Sequence, residues 1–224
     1  EIVVRKIVTN AKKNIGSDNL CLSGGVALNC VSNGKVLSEG VFNNLWIQPA
    51  SGDAGGAIGA ALSTWYEFLN NARFKRGKGH DDMHGSYLGP SYTNDEAITL
   101  LGLDNKLYDI IPENELLPKV AKLISQDKVI GWHSGRMEFG PRSLGGRSIL
   151  GDPRSKDAQT VINLKIKFRE SFRPFAPSIL SEKVSEWFEC EKSSDYMLIV
   201  ANVKKDKLIQ DALEVEGLDK INNI

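Results

Sequence analysis

Apolar residues at Val4, Ile7, Val8 and Ala11 recur at helical spacing, which predicts an amphipathic helix from Ile2 to Ile15. Asn19 to Leu22 then reads as a short buried strand ending in Ser23-Gly24-Gly25. Helical spacing returns from Val26 to Leu37, and Gly40 lies just beyond, where a glycine commonly closes a helix. A second strand is expected over Asn44 to Gln48, followed by the turn Pro49 to Asp53. Ile58, Leu62, Trp65 and Leu69 fall on one face of a helix running from Ala54 to about Leu69. Helices alternating with short buried strands predict an α/β layer architecture.

Periodicity fades between Asn71 and Gly89 while charges accumulate, so a linker over 75–90 is expected between units 1–74 and 91–224. Helices are predicted near Asn94 to Leu101, up to Ser125, at Asp157 to Lys165 and at Glu182 to Phe188. Strands are predicted near Leu107 to Ile111 and at Val129 to His133, Ser148 to Gly151, Phe175 to Leu180 and Met197 to Val203. These elements do not alternate strictly, as in an α+β domain. The chain opens inside a helical pattern and stops at Ile224 without a terminating signal, as expected of a piece of a longer protein.

The 28 basic and 28 acidic residues balance to a formal charge of zero, so no global field draws the chain to nucleic acid or an anionic membrane. No apolar run approaches the roughly 18 residues of a membrane span. Cys21, Cys30 and Cys190 are odd in number and widely spaced, which predicts reduced thiols in a cytoplasmic protein.

Against that neutral background three constellations stand out. Leu22 to Asn29 (LSGGVALN) places two glycines between a strand and a helix, a geometry that lets backbone N–H groups approach a phosphate; a plain tight turn is the bland alternative. Ser51 to Leu62 (SGDAGGAIGAAL) repeats the arrangement, with Asp53 either a helix-capping carboxylate or a ligand to a metal or nucleotide. Gly135 to Arg154 interleaves Arg136, Arg142, Arg147 and Arg154 with five glycines, and Lys165, Lys167, Arg169 and Arg173 follow. Guanidinium groups on a glycine-shaped loop suit a phosphate-bearing anion, which they bind in bidentate fashion. His80 and His84 have HxxxH spacing but lie among glycines, and read as linker residues rather than a metal site. A nucleotide- or RNA-binding module is a competing reading, opposed by the lack of aromatics interleaved as a stacking platform. An actin-like kinase or ATPase would use the two glycine turns but leave Gly135 to Arg173 unexplained.

Together LSGGVALN, PASGDAGGAIGAAL, GRMEFGPRSLGGRSILGDPR and KFRESFRPFAPSIL resemble the nodulation-protein-U-type O-carbamoyltransferases from about Cys21 to Val203. The resemblance implies part of an actin-like (ribonuclease-H-like) domain followed by a C-terminally incomplete YrdC-like domain. It implies that carbamoyl phosphate and ATP give carbamoyl adenylate, whose carbamoyl group passes to an acceptor hydroxyl on a small molecule or oligosaccharide. By this resemblance Arg142, Lys167 and Arg173 are the catalytic contacts to carbamoyl phosphate, and Arg136, Glu138, Arg147 and Ser148 join them in holding carbamoyl phosphate and ATP. Gly24, Gly25, Asn29, Asp53 and Gly55 form the nucleotide site of the actin-like part, and Asp53 binds a divalent metal of the iron or magnesium class. The family's metal-completing histidine pair has no counterpart here, nor has its His-Val-Asp-Gly-like C-terminal motif. The expected partner is therefore the remaining N-terminal part of the same protein, and this chain alone is expected to lack full transfer activity.

Overall fold

A computed structural model describes residues 1–74, 81–102, 108–190 and 194–208. Its residues group into two compact units that are discontinuous in sequence. The first comprises Glu1–Gly89, Glu138–Leu144 and Ser181–Lys204; the second comprises Pro90–Met137, Gly145–Leu180 and Lys205–Ile224.

In the first unit, α1 (Ile2–Ile15) and β1 (Asn19–Leu22) follow the expected bounds, and β2 (Asn44–Ile47) is one residue shorter than expected. Strands β1 and β2 pair in parallel, from Asn19 opposite Asn44 to Leu22 opposite Ile47. The helix expected over Val26 to Leu37 is broken in two. A 3₁₀ turn at Gly25–Leu28 precedes α2 (Cys30–Ser38), because Asn29 is extended and its side chain accepts the Ser32 N–H at 3.1 Å. Such a cap is worth about 1 kcal/mol and outweighs the continuous apolar spacing of this stretch. Helix α3 (Asp53–Ser63) passes into a π-helical turn at Thr64–Phe68. On the face that gathers the apolar residues, Leu62, Trp65 and Leu69 are exposed.

Ala27, Ile47 and Leu198 form the buried core of this unit, flanked by Leu22, Leu28, Leu45, Tyr196 and Ile199. The segment Met197 to Val203 is not the expected strand. The fully buried Asn33 amide donates to the Leu198 and Ala27 carbonyls at 2.9 and 2.7 Å, so a side chain occupies an acceptor a neighbouring strand would use. Among the described residues, an isolated bridge joins Val203 to Phe188, with the Asn202 carbonyl accepting the Glu189 N–H at 2.8 Å. The stretch expected as a helix over Glu182 to Phe188 is a 3₁₀ turn at Ser181–Lys183 followed by the short α7 (Val184–Trp187).

In the second unit, α4 (Asn94–Leu100) begins with a reciprocal cap between Thr93 and Glu96. Helix α5 (Glu113–Ile124) packs on β3 (Ile130–His133), which pairs antiparallel with β4 (Arg147–Leu150). Part of the strand expected near Leu107 to Ile111 lies outside the described residues, and 108–111 has no strand. Phe175 to Leu180 also forms no strand, since Pro177 inside it and Pro174 before it lack the N–H groups a ladder needs. Helix α6 (Ala158–Val161) runs into a π-helical turn at Ile162–Ile166. Among the described residues the architecture is mixed α/β with two small two-stranded sheets.

Candidate functional site

The first unit assembles its candidate site from three loops. Gly24 has φ of 94° and ψ of 161°, backbone that side-chain-bearing residues rarely adopt, and a Cβ at Gly24 or Gly25 would meet nothing within 4 Å. The strand-to-turn junction therefore presents open backbone. The second loop, Pro49 to Gly52, leads into α3, with Asp53 exposed in its first turn. The third loop comes from the arginine-rich stretch. A Cβ on Gly140 would lie 3.3 Å from the Ala50 Cβ, so this loop rests on the second. The Arg142 guanidinium donates to the Leu28 carbonyl at 2.8 Å, so it also closes on the first.

Glu138 shapes that third loop. Its carboxylate is 5 % exposed and accepts the Leu144 N–H at 2.7 Å, closing the segment into a ring. Arg142 is partly buried, and its Nε has no hydrogen-bond partner among the described residues. Ser51 is likewise buried, with an unpartnered hydroxyl in the second loop. Buried polar atoms without partners are rare, and the Ser32 and Ser86 hydroxyls of this unit share that state, so each of the four has a hydrogen bond left to make.

Asp81 to Gly89, part of the expected linker, is anchored in the first unit. The Tyr196 hydroxyl donates to both Asp81 carboxylate oxygens at 2.9 Å and accepts the Gly85 N–H at 3.2 Å. The Ser86 carbonyl accepts the Phe139 N–H at 2.6 Å, and the Tyr87 hydroxyl donates to the Leu144 carbonyl. This strap thus holds both ends of the loop that carries Arg142. Sequence periodicity missed it; the alternation of Gly with Tyr, Ser and Asp was its only signal. His84 is exposed at φ of 47°, outside any longer helix, and His80 lies outside the described residues.

Burial and the hydrogen bond to Asp81 push the Tyr196 hydroxyl up to about 12. An unfolded tyrosine ionises near pH 10, so the stabilisation from this lock is complete below about pH 10 and is lost as pH rises through about 12. Tyr196→Phe is expected to flatten the fall in Tm between pH 10 and 12; equal slopes in the two proteins would refute the lock.

The other sequence-predicted residues are as follows. Asn29 spends its side-chain oxygen on the α2 cap. Gly55 is required sterically, since a Cβ there would lie 2.0 Å from the Ala50 carbonyl oxygen. Among the described residues no group of three His, Cys, Asp or Glu side chains converges to hold a metal. Asp53 suits a divalent cation as one carboxylate ligand, with the remaining ligands to be supplied from elsewhere.

In the second unit, Arg136 follows β3 and Arg147 opens β4 opposite His133; both arginines are exposed. The Ser148 hydroxyl accepts the Gly145 N–H at 3.0 Å. Arg173 pairs with Glu170 at 2.8 Å, and Glu170 is held below the usual carboxylate range by its own backbone N–H and by Arg173. Lys167 is exposed at the end of the π-helical turn. Arg154 is turned back onto Asp152, whose carboxyl its hydrogen bonds hold down at about 2, so it serves the Gly151 to Ser155 turn. Nearby, Phe168 and Phe172 are 85 % and 65 % exposed, which corrects the reading that this stretch lacks aromatics interleaved with its basic residues.

The described residues contain no helix long and apolar enough to cross a membrane. Residues 1–62 match the family description "Carbamoyltransferase N-terminus" and residues 121–221 match "Carbamoyltransferase C-terminus". An uncharacterized protein of Synechocystis is 53 % identical over 227 residues, covering 99 % of this chain and 37 % of its own length. Nodulation protein NolO of Bradyrhizobium diazoefficiens is 39 % identical over 230 residues, covering 100 % of this chain and 41 % of its own length. Nodulation protein U of Rhizobium tropici is 32 % identical over 213 residues, covering 93 % of this chain and 34 % of its own length. The chain thus spans well under half the length of these relatives.

Proposed function

The chain belongs to the carbamoyltransferase family, and from that membership we propose that it contributes part of an O-carbamoyltransferase acting on carbamoyl phosphate and ATP. Convergence of the Arg142 loop on both glycine turns is the observation that carries this reading. A carbamoyl group enters as carbamoyl phosphate, and with ATP and one water it leaves as carbamoyl adenylate, phosphate and pyrophosphate. The acceptor oxygen then attacks the carbonyl carbon, and AMP departs with the electron pair of the broken C–O bond. The acceptor is a hydroxyl on a small molecule or oligosaccharide.

In this proposal Lys167, Arg173, Arg136, Arg147 and Ser148 hold the phosphate groups in a YrdC-like domain. The open backbone at Gly24 and Gly25 receives the nucleotide in an actin-like domain, beside Asp53 and Asn29. Fixed cations suit this chemistry because charge developing on a transferring phosphoryl or carbamoyl group is stabilised without reorganisation. Asp53 supplies one oxygen to a divalent cation of the iron or magnesium class, which when bound would neutralise charge on the nucleotide. The remaining N-terminal part of the same protein completes the assembly. The odd number and wide spacing of Cys21, Cys30 and Cys190 support a cytoplasmic setting.

Calorimetric titration of the chain with carbamoyl phosphate, using inorganic phosphate as the control, tests the reading. Preferential binding of carbamoyl phosphate is expected. Equal affinity for the two, or ATP hydrolysis that proceeds without carbamoyl phosphate, would sink it, the latter in favour of a kinase or ATPase.

A further inference from the structure

Phe168 sits where neither burial nor backbone preference accounts for it. Its φ is 48°, in the left-handed region that non-glycine residues enter at a cost, and its ring is 85 % exposed. The loop around it is nevertheless tightly held. Asn163, with no exposed surface, accepts the Arg169 Nε–H at 2.7 Å through its side-chain oxygen. Its amide donates to the Ser171 and Arg173 carbonyls at 3.0 and 2.8 Å, and its own carbonyl accepts the Arg169 N–H at 3.0 Å. The Arg169 guanidinium also lies 5.1 Å over the Phe175 ring. The left-handed backbone at Phe168 is thus enforced from the fully buried Asn163 beneath it, and the phenyl ring is kept out in solvent. Strain maintained by a satisfied buried hub is found at ligand-contacting positions.

The surrounding charges narrow the ligand. Arg169 is committed to Asn163 and Phe175, and Arg173 to Glu170. Lys165 and Lys167 are exposed and have no side-chain partner among the described residues. An exposed ring on a firmly held backbone, with two uncommitted cations within three residues of it, matches a planar aromatic group joined to phosphates. We infer that Phe168 is a stacking platform for the base of a nucleoside triphosphate whose phosphates are drawn by Lys165 and Lys167. This rests on the proposed ATP-dependent reading and adds to it a residue and a contact type: the base is held by its face, not by hydrogen bonds to its edge.

The test is calorimetry on the 224-residue chain with ATP, inorganic tripolyphosphate and carbamoyl phosphate. ATP is expected to bind on the order of tenfold more tightly than tripolyphosphate, the difference being the stacked base. Phe168→Ala and Phe168→Gly are each expected to remove that advantage and to leave tripolyphosphate and carbamoyl phosphate unchanged; Phe168→Tyr keeps it. Glycine accepts the left-handed backbone without strain, so the Tm of Phe168→Gly is expected to be no lower than that of the parent, which separates a lost contact from a lost fold. Unchanged ATP affinity in both ringless variants overturns the inference, as does a parent chain that prefers tripolyphosphate. Single-stranded RNA is titrated alongside, and a loss in Phe168→Ala confined to RNA also overturns the inference, in favour of nucleic acid. Carbamoyl phosphate that fails to bind while ATP behaves as stated sinks the carbamoyltransferase reading and leaves this one standing. The reverse result does the opposite.

Discussion

Arg142→Ala is expected to weaken carbamoyl-phosphate binding by at least about thirtyfold, the equivalent of ~2 kcal/mol for one charge-assisted contact. The reasoning starts from what the guanidinium already does. One nitrogen donates to the Leu28 carbonyl at the end of the glycine turn, and Nε is buried with no partner. Truncation therefore removes a cation and also leaves a carbonyl of the turn without its donor. Arg142→Lys separates the two effects, because an ammonium keeps the charge but not the planar fork. If Arg142 binds the anion directly, the lysine variant recovers part of the affinity; if it only braces the turn, lysine and alanine fall alike. A titration in which the alanine variant binds like the parent would place carbamoyl phosphate somewhere else entirely.

The elements read most accurately from sequence were those whose contacts are local. Helix α1 and strands β1, β2 and β3 lie within one residue of their expected bounds, because apolar spacing and the flanking glycines determine them over a few positions. Where the outcome depended on a distant partner, the sequence was silent or misleading. Met197 to Val203 has the composition of a strand, yet Asn33, far away in sequence, occupies the Leu198 carbonyl. The Asp81 to Gly89 strap shows no periodicity because it is held by single hydrogen bonds to Tyr196 and to the Arg142 loop. The break at Asn29 could have been found, since asparagine is a strong helix cap, but Val26, Ala27, Leu28 and Val31 carry the apolar pattern straight through it.

The candidate site divides along the same line. Residue types and glycine spacing picked out all three loops of the first unit, because each needs open backbone or a cation whatever lies around it. What the spacing did not carry was their association. Sequence order sets Arg142 among the later residues, whereas its contacts group Glu138–Leu144 with the first unit. Gly140 against Ala50 and Arg142 on Leu28 are the contacts responsible, and both span many residues of chain. Phe168 was overlooked for a related reason. Phe168, Phe172 and Phe175 alternate with basic residues in KFRESFRPF, but only exposure and backbone angle distinguish Phe168 from the less exposed Phe175.

Gly55→Ala is expected to destabilise the chain by about 2–3 kcal/mol, whereas Gly56→Ala, one residue further along α3, is expected to stabilise it by roughly 0.5–1 kcal/mol. The opposite signs follow from what each new methyl group meets. At Gly56 a Cβ has nothing within 4 Å, so alanine supplies only its better helix propensity. At Gly55 the Cβ would stand 2.0 Å from the Ala50 carbonyl oxygen and 3.0 Å from its carbon, and these are backbone atoms with little freedom to yield. Ala50 cannot retreat easily: it is completely buried, its N–H is held by the Gln48 side chain at 3.2 Å, and Gly140 rests against it. Relief would have to come by moving the turn into the Arg142 loop or by unwinding the start of α3. Either movement displaces Asp53 and disturbs the approach of Arg142 to Leu28, so the stability loss is expected to bring weaker nucleotide binding with it. Urea denaturation of the two variants, read as midpoints at constant m-value, makes the comparison. Two alanine variants that shift stability in the same direction would show that the close packing of the second and third loops is not what Gly55 maintains.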